Sequence, residues 1–494
     1  MRFTTATLAA SMAATGLASP VNEVVYELYP RQGGGAGGVT TLSVNPETTY
    51  QKMDGFGFSL AFQRANLITN MKDADKQRQL LDLLFNTTTG AGFSIIRNGI
   101  GSSPDSSSDH MNTFAPKSPG SPTAKPNYQF DGKDSGQLFV SQEAYKTYGV
   151  RNIYADAWSA PGYMKTNGNE ANGGSIAADW KQAYADYLLA YVGFYRDAGV
   201  TVSHLGFLNE PEYSANYASM GSSGAQAADF IKLLYATIQS HNLTDSLGIV
   251  CCESEGWGNQ VSMTNAIKSA GADTMLKAVS SHTYTGGPSG PMNVKAPVWL
   301  SEQCDLNGGW STAWSGGGGA GEGMTWAGNI MSAVVNTNVG GYLYWEGVQW
   351  PNPNTNEKLI KVDNSTNTYE VAKRLWAFAQ FSRYVRPGAT RIAATGAGTG
   401  IRAAAFKNLD GTIAVVLINS NAAANTVTVK VAGLTVPTTA TGGVGLWVTD
   451  NTHNCEKSTA SVTTDGAVSG TVPGHGMGTF VIPAAAPAAP AAST

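Results

Sequence analysis

The sequence predicts a (β/α)8 barrel, an α/β fold, with an antiparallel β-sandwich domain attached to its side. Residues 51–386 alternate between short apolar runs and helix-like stretches, as an eightfold βα repeat requires. After Pro387 the chain becomes rich in Ala, Val, Thr and Gly and shows no helical period. Two acids, Glu210 and Glu302, each close an apolar run, which is where the functional face of a βα barrel lies.

The barrel strands are predicted from apolar runs and the helices from the spacing of their apolar residues. Eight runs qualify as strands: 53–58, 93–97, 152–158, 202–208, 247–252, 277–282, 298–301 and 340–345. Helices are predicted over 177–198, 225–241 and 369–384, and Gly199 suits the end of the first of them. The alternative is an open doubly wound sheet, which favours a phosphate-binding turn after the first strand. The GFGFS motif at Gly55 does not fit that turn, because no helix follows it directly.

The second domain is predicted over residues 387–483, where TIAVVLINS and NTVTVKVAG read as antiparallel strands. An early strand within residues 36–50 has no place in the barrel, so we expect it to join the sandwich. The last residues, 484–494, are rich in Ala and Pro and are expected to be disordered.

The N-terminus has the features of a secretory signal peptide. Arg2 precedes a short apolar stretch, and we expect residues 1–18 to be removed and residues 19–35 to form a pro-segment or linker. No later run is long enough to span a membrane. We therefore expect a secreted, extracellular glycoprotein. The candidate N-glycosylation sites are Asn86, Asn242 and Asn364.

Four cysteines, Cys251, Cys252, Cys304 and Cys455, fit a secreted protein with a disulfide. Neighbouring residues on a strand point to opposite faces, so Cys251 and Cys252 are expected to have separate fates. The sequence leaves the pairing open. The absence of any CxxC pair argues against zinc.

Composition narrows the class of ligand. The net charge is only −4 and charged residues make up 13% of the chain, which disfavours nucleic acid as a partner. The 20 tyrosines and 11 tryptophans suit a neutral, hydroxyl-rich ligand such as a polysaccharide. We expect no cofactor, no metal and no membrane partner, and a monomer.

Two carboxylates on different strands are the machinery of glycoside hydrolysis. In a retaining enzyme one of them attacks the anomeric carbon and the other supplies a proton to the leaving oxygen. Glu210 and Glu302 fit these two roles, and the preceding Asn209 is placed to bind a sugar 2-hydroxyl. The alternatives are structural glutamates, or a non-catalytic carbohydrate-binding protein on the same scaffold.

The motifs resemble glycoside hydrolase family 30, and in particular the fungal xylanases of its subfamily 7. They are DGFGFSLAFQRA (54–65), SIIRNGIG (94–101), ADAWSAPGYMKTNG (155–168), FLNEPEY (207–213), SSHTYTG (280–286), VWLSEQ (298–303) and YLYWEG (342–347). The resemblance implies a barrel with a flanking β-domain. It also implies that Glu210 is the acid/base, that Glu302 is the nucleophile, and that Arg97 steadies Glu302. Further residues implied to line the sugar subsites are Trp158, Asn209, Tyr284 and Trp345.

Substrate detail depends on Arg64 in the first βα loop, where the resemblance implies an arginine that binds the glucuronic acid branch of xylan. We therefore expect a retaining β-1,4-xylanase that acts on glucuronoxylan and releases short products such as xylobiose. Rival specificities within the family are β-1,6-glucanase, β-xylosidase and β-glucosidase.

The remaining polar and aromatic residues near the strand ends are predicted to have structural or peripheral roles. A structural role is expected for His282 and Glu253. The loop tryptophans are candidates for outer sugar subsites, namely Trp257, Trp310, Trp314 and Trp350.

Overall fold

The structure is a computed structural model that describes residues 38–105, 111–438 and 443–484. The predicted signal peptide (1–18), the pro-segment or linker (19–35) and all but the first residue of the tail (484–494) lie outside the described residues.

A closed barrel of parallel strands forms the larger domain, as predicted. Its eight strands are β2 (Gly55–Ser59), β3 (Ile95–Ile100), β4 (Asn152–Ala157), β5 (His204–Gly206), β6 (Gly248–Ser254), β7 (Leu276–His282), β8 (Val298–Glu302) and β10 (Gly341–Gln349). Strand β10 pairs with both β8 and β2 and so closes the barrel. The strands read as nearly continuous apolar runs because both of their faces are buried.

Helices pack around the barrel. They are α1 (Ala65–Thr69), α2 (Ala74–Phe85), α3 (Gln137–Lys146), α4 (Lys181–Asp197), α5 (Gly224–Ser240), α6 (Trp257–Ser269), α7 (Gly323–Thr337) and α8 (Arg374–Ser382). Short 3-10 turns lie at Asp134–Gly136, Gly162–Met164, Ala178–Trp180 and Asp273–Met275. Gly199 has φ +82° just after α4, a conformation that favours glycine at a helix end. Among the described residues, no helix has the length and apolar character needed to cross a membrane.

The last helix is shorter than predicted. Residues Thr368–Val371 form strand β13, which pairs with β12 (Lys358–Asp363) as an antiparallel hairpin beside β10. The sequence TYEV alternates between exposed and half-buried positions, which is the period of a strand and overrides the helical reading. A second, two-stranded sheet pairs β9 (Asp305–Gly309) with β11 (Thr355–Asn356).

The interior of the barrel is filled by side chains from different strands, as is typical of this fold. The buried layer consists of Ile95, Tyr154, Val250, Ala278, Trp299 and Leu343. Trp299 donates its indole hydrogen to Asp54 Oδ2 at 2.7 Å, and Tyr154 donates to Glu253 at 2.8 Å. This layer supports the charged residues at the carboxyl ends of the strands.

The second domain is the expected β-sandwich, built on one ten-stranded sheet that encloses its own core. Its strands are β1 (Val39–Lys52), β14 (Thr390–Thr395), β15 (Ile401–Lys407), β16 (Ile413–Asn419), β17 (Asn425–Val431), β18 (Gly445–Thr449), β19 (Asn454–Ser458), β20 (Ala460–Val462), β21 (Val468–Val472) and β22 (Gly476–Ile482). The N-terminal strand β1 lies between β14 and β17, so the chain enters the barrel through the sandwich.

Helix α8 joins the two domains. Gln380 is fully buried, donates to Thr449 Oγ1 at 2.7 Å and accepts from Thr479 Oγ1 at 2.6 Å. The indole of Trp314 donates to the carbonyl of His475 at 2.7 Å. Because these polar groups are satisfied across the junction, the hydrogen bonds help fix the sandwich to the barrel.

Candidate active site

The two glutamates singled out in the sequence meet at the carboxyl end of the barrel. Glu210 follows the fourth barrel strand, β5, and Glu302 ends the seventh, β8. One carboxylate oxygen of each, together with a ring nitrogen of His282, falls within a cluster in which all atoms are at most 4.8 Å apart. Both glutamates are nearly buried, at 7% and 5% exposure.

Glu302 is held by groups from the second and sixth barrel strands. Arg97 Nη1 forms a short ion pair with Glu302 Oε2, and the Tyr284 hydroxyl donates to Oε1 at 3.1 Å. Burial raises the pKa of Glu302, while the positive charges of His282 and Arg97 oppose that rise. The carboxylate is fixed in place with both of its oxygens bonded.

Arg97 is the centre of a larger charge network. Its Nη2 lies 2.8 Å from Asp156 Oδ2, 2.6 Å from Asn209 Oδ1 and 2.9 Å from Glu253 Oε2. Burial disfavours the charge, but the carboxylates outweigh burial and hold the pKa of Arg97 well above its ordinary value. Because Asn209 accepts from Arg97 through Oδ1, its amide nitrogen is left as the group for a sugar hydroxyl.

His282 has more contacts with Glu210 and Glu302 than its expected structural role implies. Its Nδ1 lies 2.9 Å from Glu210 Oε1, its Nε2 lies 2.8 Å from Glu253 Oε2, and the same nitrogen lies 3.7 Å from Glu302 Oε2. Burial alone would lower the pKa of His282, yet Glu302, Glu210 and Glu253 together raise it to about 10. His282 is thus an imidazolium that bridges both glutamates.

Asp156 is a site residue that the motif reasoning did not single out. It is fully buried on β4, and burial raises its pKa to about 7 although Arg97 pulls it down. An acid inside the apolar run NIYADAW was the available signal, because a buried charge in a strand needs a partner. What the run did not reveal was that the partner is Arg97 on the neighbouring strand.

Aromatic rings form one wall of the site. The ring of Trp158 lies under the Arg97 guanidinium at 4.2 Å and 5.9 Å from the ring of Trp345. Phe62 contacts both tryptophans and also Tyr217, with ring centroids 5.6–5.9 Å apart. Phe62 and Tyr217 were not predicted. Both lie on βα loops, where sequence patterns say little about side-chain position.

Arg64 lies in the first βα loop, as expected, but it is only 5% exposed. Its Nε donates to Glu346 Oε1 at 2.6 Å, its Nη1 donates to the carbonyl of Phe62, and its guanidinium stacks on Trp350 at 4.4 Å. Any uronate that reaches Arg64 must therefore share it with Glu346.

Two expectations about cysteines and tryptophans were wrong. Cys251 and Cys252 do not have separate fates but form a disulfide with each other, and the peptide bond between them is cis. Cys304 and Cys455 are free. Trp257 and Trp314 are buried in the core at 1% and 0% exposure, so they cannot form outer sugar subsites. Of the four loop tryptophans, Trp310 and Trp350 remain half-buried.

The arrangement suits acid/base and nucleophilic chemistry at one carbon atom. Carboxyl groups about 5–5.5 Å apart are typical of retaining glycosidases, whereas inverting enzymes need more room for water. The trio Glu210, His282 and Glu302 has the spacing of a metal site. However, both ring nitrogens of His282 bind carboxylates, so a protonated His282 has no lone pair for a metal.

Comparisons with known proteins agree with this geometry. Residues 39–289 match the family model for O-glycosyl hydrolase family 30, and residues 388–480 match that for the glycosyl hydrolase family 30 beta sandwich domain.

Three similar proteins illustrate the range of the match. The catalytic domain of GH30 xylanase C from Talaromyces cellulolyticus is 41% identical, with 90% of this chain and 99% of that chain covered and a TM-score of 0.82. A subfamily 8 xylanase from Clostridium acetobutylicum is 22% identical over 90% of this chain and all of its own, with a TM-score of 0.65, and shares the fold. An endo-1,6-beta-D-glucanase from Trichoderma harzianum is 25% identical over 423 residues, 79% of this chain and 83% of its own. Motifs, fold and site geometry agree: the chain belongs to glycoside hydrolase family 30.

Proposed function

We propose that the protein is a retaining β-1,4-xylanase that acts on glucuronoxylan outside the cell, as a monomer, and releases short products such as xylobiose. The observation that carries the choice of xylan is the 41% identity to a family 30 xylanase over 99% of that chain. The rival activity is β-1,6-glucan hydrolysis, which is favoured by the 25% identity to the Trichoderma harzianum endo-1,6-beta-D-glucanase.

The proposed mechanism assigns one step to each glutamate. Glu302 attacks the anomeric carbon while Glu210 gives its proton to the leaving oxygen, so that the glycosidic bond breaks and a covalent glycosyl-enzyme forms. Glu210 then takes a proton from water, and the water oxygen displaces Glu302. The spacing of at most 4.8 Å between their nearest oxygens supports this two-step route.

Sugar binding is proposed for the residues around the pair. Trp345 is half-buried and offers a flat apolar face, and Asn209 offers its amide nitrogen to a hydroxyl of the sugar at the cleavage point. Trp158 is only 2% exposed, so its proposed contact with the sugar is limited to its edge, beside Trp345 at 5.9 Å. Arg64 is proposed to bind the glucuronic acid branch. Its support is its position at the mouth and a guanidinium already placed for carboxylate binding by Glu346.

The experiment that tests the proposal is a product profile on glucuronoxylan, arabinoxylan and β-1,6-glucan, run with wild type and Glu302→Gln side by side. We expect wild type to cleave the xylans and the variant to cleave none. Turnover of β-1,6-glucan alone would replace the xylanase proposal with the glucanase. Equal and absent turnover by both proteins on all three substrates would leave the non-catalytic binding protein as the better account.

A further inference from the structure

Glu253 is a buried carboxylate that is linked to Glu210 through the ring of His282. It is fully buried at the end of β6. Its Oε1 accepts from the Tyr154 hydroxyl at 2.8 Å. Its Oε2 accepts from Ser301 Oγ at 2.7 Å and lies 2.9 Å from Arg97 Nη2 and 2.8 Å from His282 Nε2. A carboxylate that accepts so many donors is a fixed anion.

The charge state of Glu253 agrees with those contacts. Burial raises its pKa, but Arg97 and His282 outweigh burial and lower it to about 2. Glu253 is therefore an ionised carboxylate near neutral pH and neither gives nor takes a proton there. Because it accepts only, the hydrogen between Glu253 and His282 belongs to His282 Nε2.

The other ring nitrogen of His282 decides where the acid proton of Glu210 sits. A neutral ring would present an Nδ1 lone pair, and Glu210 would donate its proton inward to that nitrogen. An imidazolium instead donates Nδ1–H to Glu210 Oε1, which lies 2.9 Å away. In the acid form of Glu210 the proton then lies on Oε2, which makes no hydrogen bond with any residue in the described part of the chain. Glu253 and Glu302 remain beside the ring to hold its charge in that form.

We propose that Glu253 is a positioning residue for the acid step: its charge keeps His282 an imidazolium, and this keeps the proton of Glu210 on the oxygen that faces the sugar. This inference rests on the glycosidase chemistry of Glu210 and Glu302 and deepens the function proposed above. During cleavage the proton passes from Glu210 Oε2 to the leaving oxygen as the C–O bond breaks and Glu302 bonds to carbon. Glu253 and His282 keep their own protonation throughout.

The backbone supports the same coupling. Glu210 and Glu253 both have positive φ, +45° and +58°, which is uncommon for residues other than glycine. The amide of Glu210 donates to the carbonyl of Glu253 at 2.8 Å. The two residues are thus joined directly through the main chain and again through the ring of His282. Local strain of this kind is typical of functional sites.

The test compares Glu253→Gln with Glu253→Asp, which keeps the charge, and with Glu47→Gln, an exposed control on β1. The first readout is the protonation of His282 by NMR of labelled histidine, assigned with His282→Gln. We expect an imidazolium in wild type and Glu253→Asp up to at least pH 8, and a ring that loses its proton below pH 8 in Glu253→Gln. The charged groups that contact this ring are Glu210, Glu302 and Glu253, with the Tyr284 ring at 5.8 Å. Asp156, Glu212 and Glu255 also act on its charge, and Arg97 binds the same oxygen of Glu253; all of these groups are unchanged in the variants.

The second readout is kinetic and uses two aryl xylobiosides, one with a poor leaving group and one with an activated leaving group. General acid catalysis contributes about 10²–10⁴-fold, and an activated leaving group needs little of it. We therefore expect Glu253→Gln to lose roughly 100-fold in kcat/KM on the poor leaving group and under about 10-fold on the activated one. Glu253→Asp is expected to recover most of the difference.

Two results would overturn the inference: a His282 that stays protonated in Glu253→Gln, or equal losses on both xylobiosides in a folded variant. If Glu253→Gln does not fold, the same comparison made on Ser301→Ala decides, because this variant removes one hydrogen bond that holds Glu253. A smaller loss, confined to the poor leaving group, is then expected. If wild type cleaves neither xylobioside, the xylanase proposal fails. The NMR readout still tests the role of Glu253 in that case.

Discussion

Two regions of the active site, a floor and a rim, differ in how their charged residues are paired. The floor, which we define as Arg97, Asp156, Glu253 and His282, binds its charges to one another and to the two catalytic glutamates. The rim, which we define as Phe62, Arg64, Glu346 and Trp350, holds one ion pair beside aromatic rings, with Arg64 and Glu346 together at the mouth. The contrast supports the proposal that the floor serves bond cleavage and that substrate choice varies at the rim. This division is consistent with the similarity of the chain to both a xylanase and a β-1,6-glucanase.

The largest effect is expected from the nucleophile above the floor. Glu302→Gln keeps the shape of the side chain but removes the attacking charge, so kcat should fall by about 10⁴-fold or more. Initial rates on xylan, beside the surface control Glu47→Gln, measure this. A variant with a tenth of wild-type activity would show that Glu302 is not the nucleophile.

Arg97→Met tests whether the floor depends on its central cation. The substitution leaves Asp156, Glu253 and Glu302 without their shared partner in a buried site, and breaking a buried ion pair costs about 3–5 kcal/mol of unfolding free energy. Urea unfolding measures the loss. The matched control is Arg196→Met, because Arg196 pairs with Asp197 on the surface at 64% side-chain exposure and should change stability by less than about 1 kcal/mol. Similar losses in the two variants would contradict the distinction.

His282 gives the floor a pH signature. Its pKa is raised from 6.5 to about 10 by folding, so its stabilising contribution is fully present below pH 6.5 and is lost as the pH rises towards 10. The melting temperature of wild type should therefore exceed that of His282→Gln most at pH 6, and the gap should narrow by pH 10. His241→Gln, on the surface at the end of α5, serves as the control. A gap that widens with pH would reverse the assigned charge.

The smallest effect on cleavage is expected at the rim, although Arg64→Ala also removes the partner of the buried Glu346 and should lower the free energy of unfolding. Arg64→Ala should leave cleavage of unbranched xylan largely intact and reduce the preference for products with a uronic branch by about 10-fold. A hydrogen bond to a charged group contributes about 1.5–3 kcal/mol at most. Arg64→Lys keeps the charge but lacks the bidentate guanidinium, so its preference for products with a uronic branch should lie between those of wild type and Arg64→Ala. An unchanged product pattern in Arg64→Ala would remove Arg64 from substrate recognition.

The sequence predicts which strands carry the active-site residues better than it predicts the contacts between those residues. Apolar runs that end in Glu210 and Glu302 are local signals, because a strand buried on both faces must be apolar and an acid at its end is conspicuous. The bridge formed by His282 depends on distances between the fourth, fifth and sixth barrel strands, which no local pattern encodes. Asp156 was visible as an acid in an apolar run, but its partner lies 59 positions away in the chain.

Other misses have local causes. The disulfide between Cys251 and Cys252 differs from the prediction because a regular strand places neighbouring side chains on opposite faces, whereas this bond joins two neighbours. The sequence predicts a helix where strand β13 (Thr368–Val371) lies, because these residues adjoin the apolar run of α8. Trp314 was placed at the mouth because it lies in a loop, whereas the sandwich covers it through His475. The predicted N-glycosylation, secretion and monomeric state remain predictions.

The most direct test of the central claim is the stereochemical course of hydrolysis, followed by proton NMR of the anomeric signals as a xylo-oligosaccharide is cleaved. The floor holds Glu302 next to Glu210, with nearest oxygens no more than 4.8 Å apart, so a covalent intermediate and net retention are expected. The β-anomer should therefore appear first and the α-anomer only later, by mutarotation. An α-anomer that forms first would mean that water attacks directly, and would contradict the account.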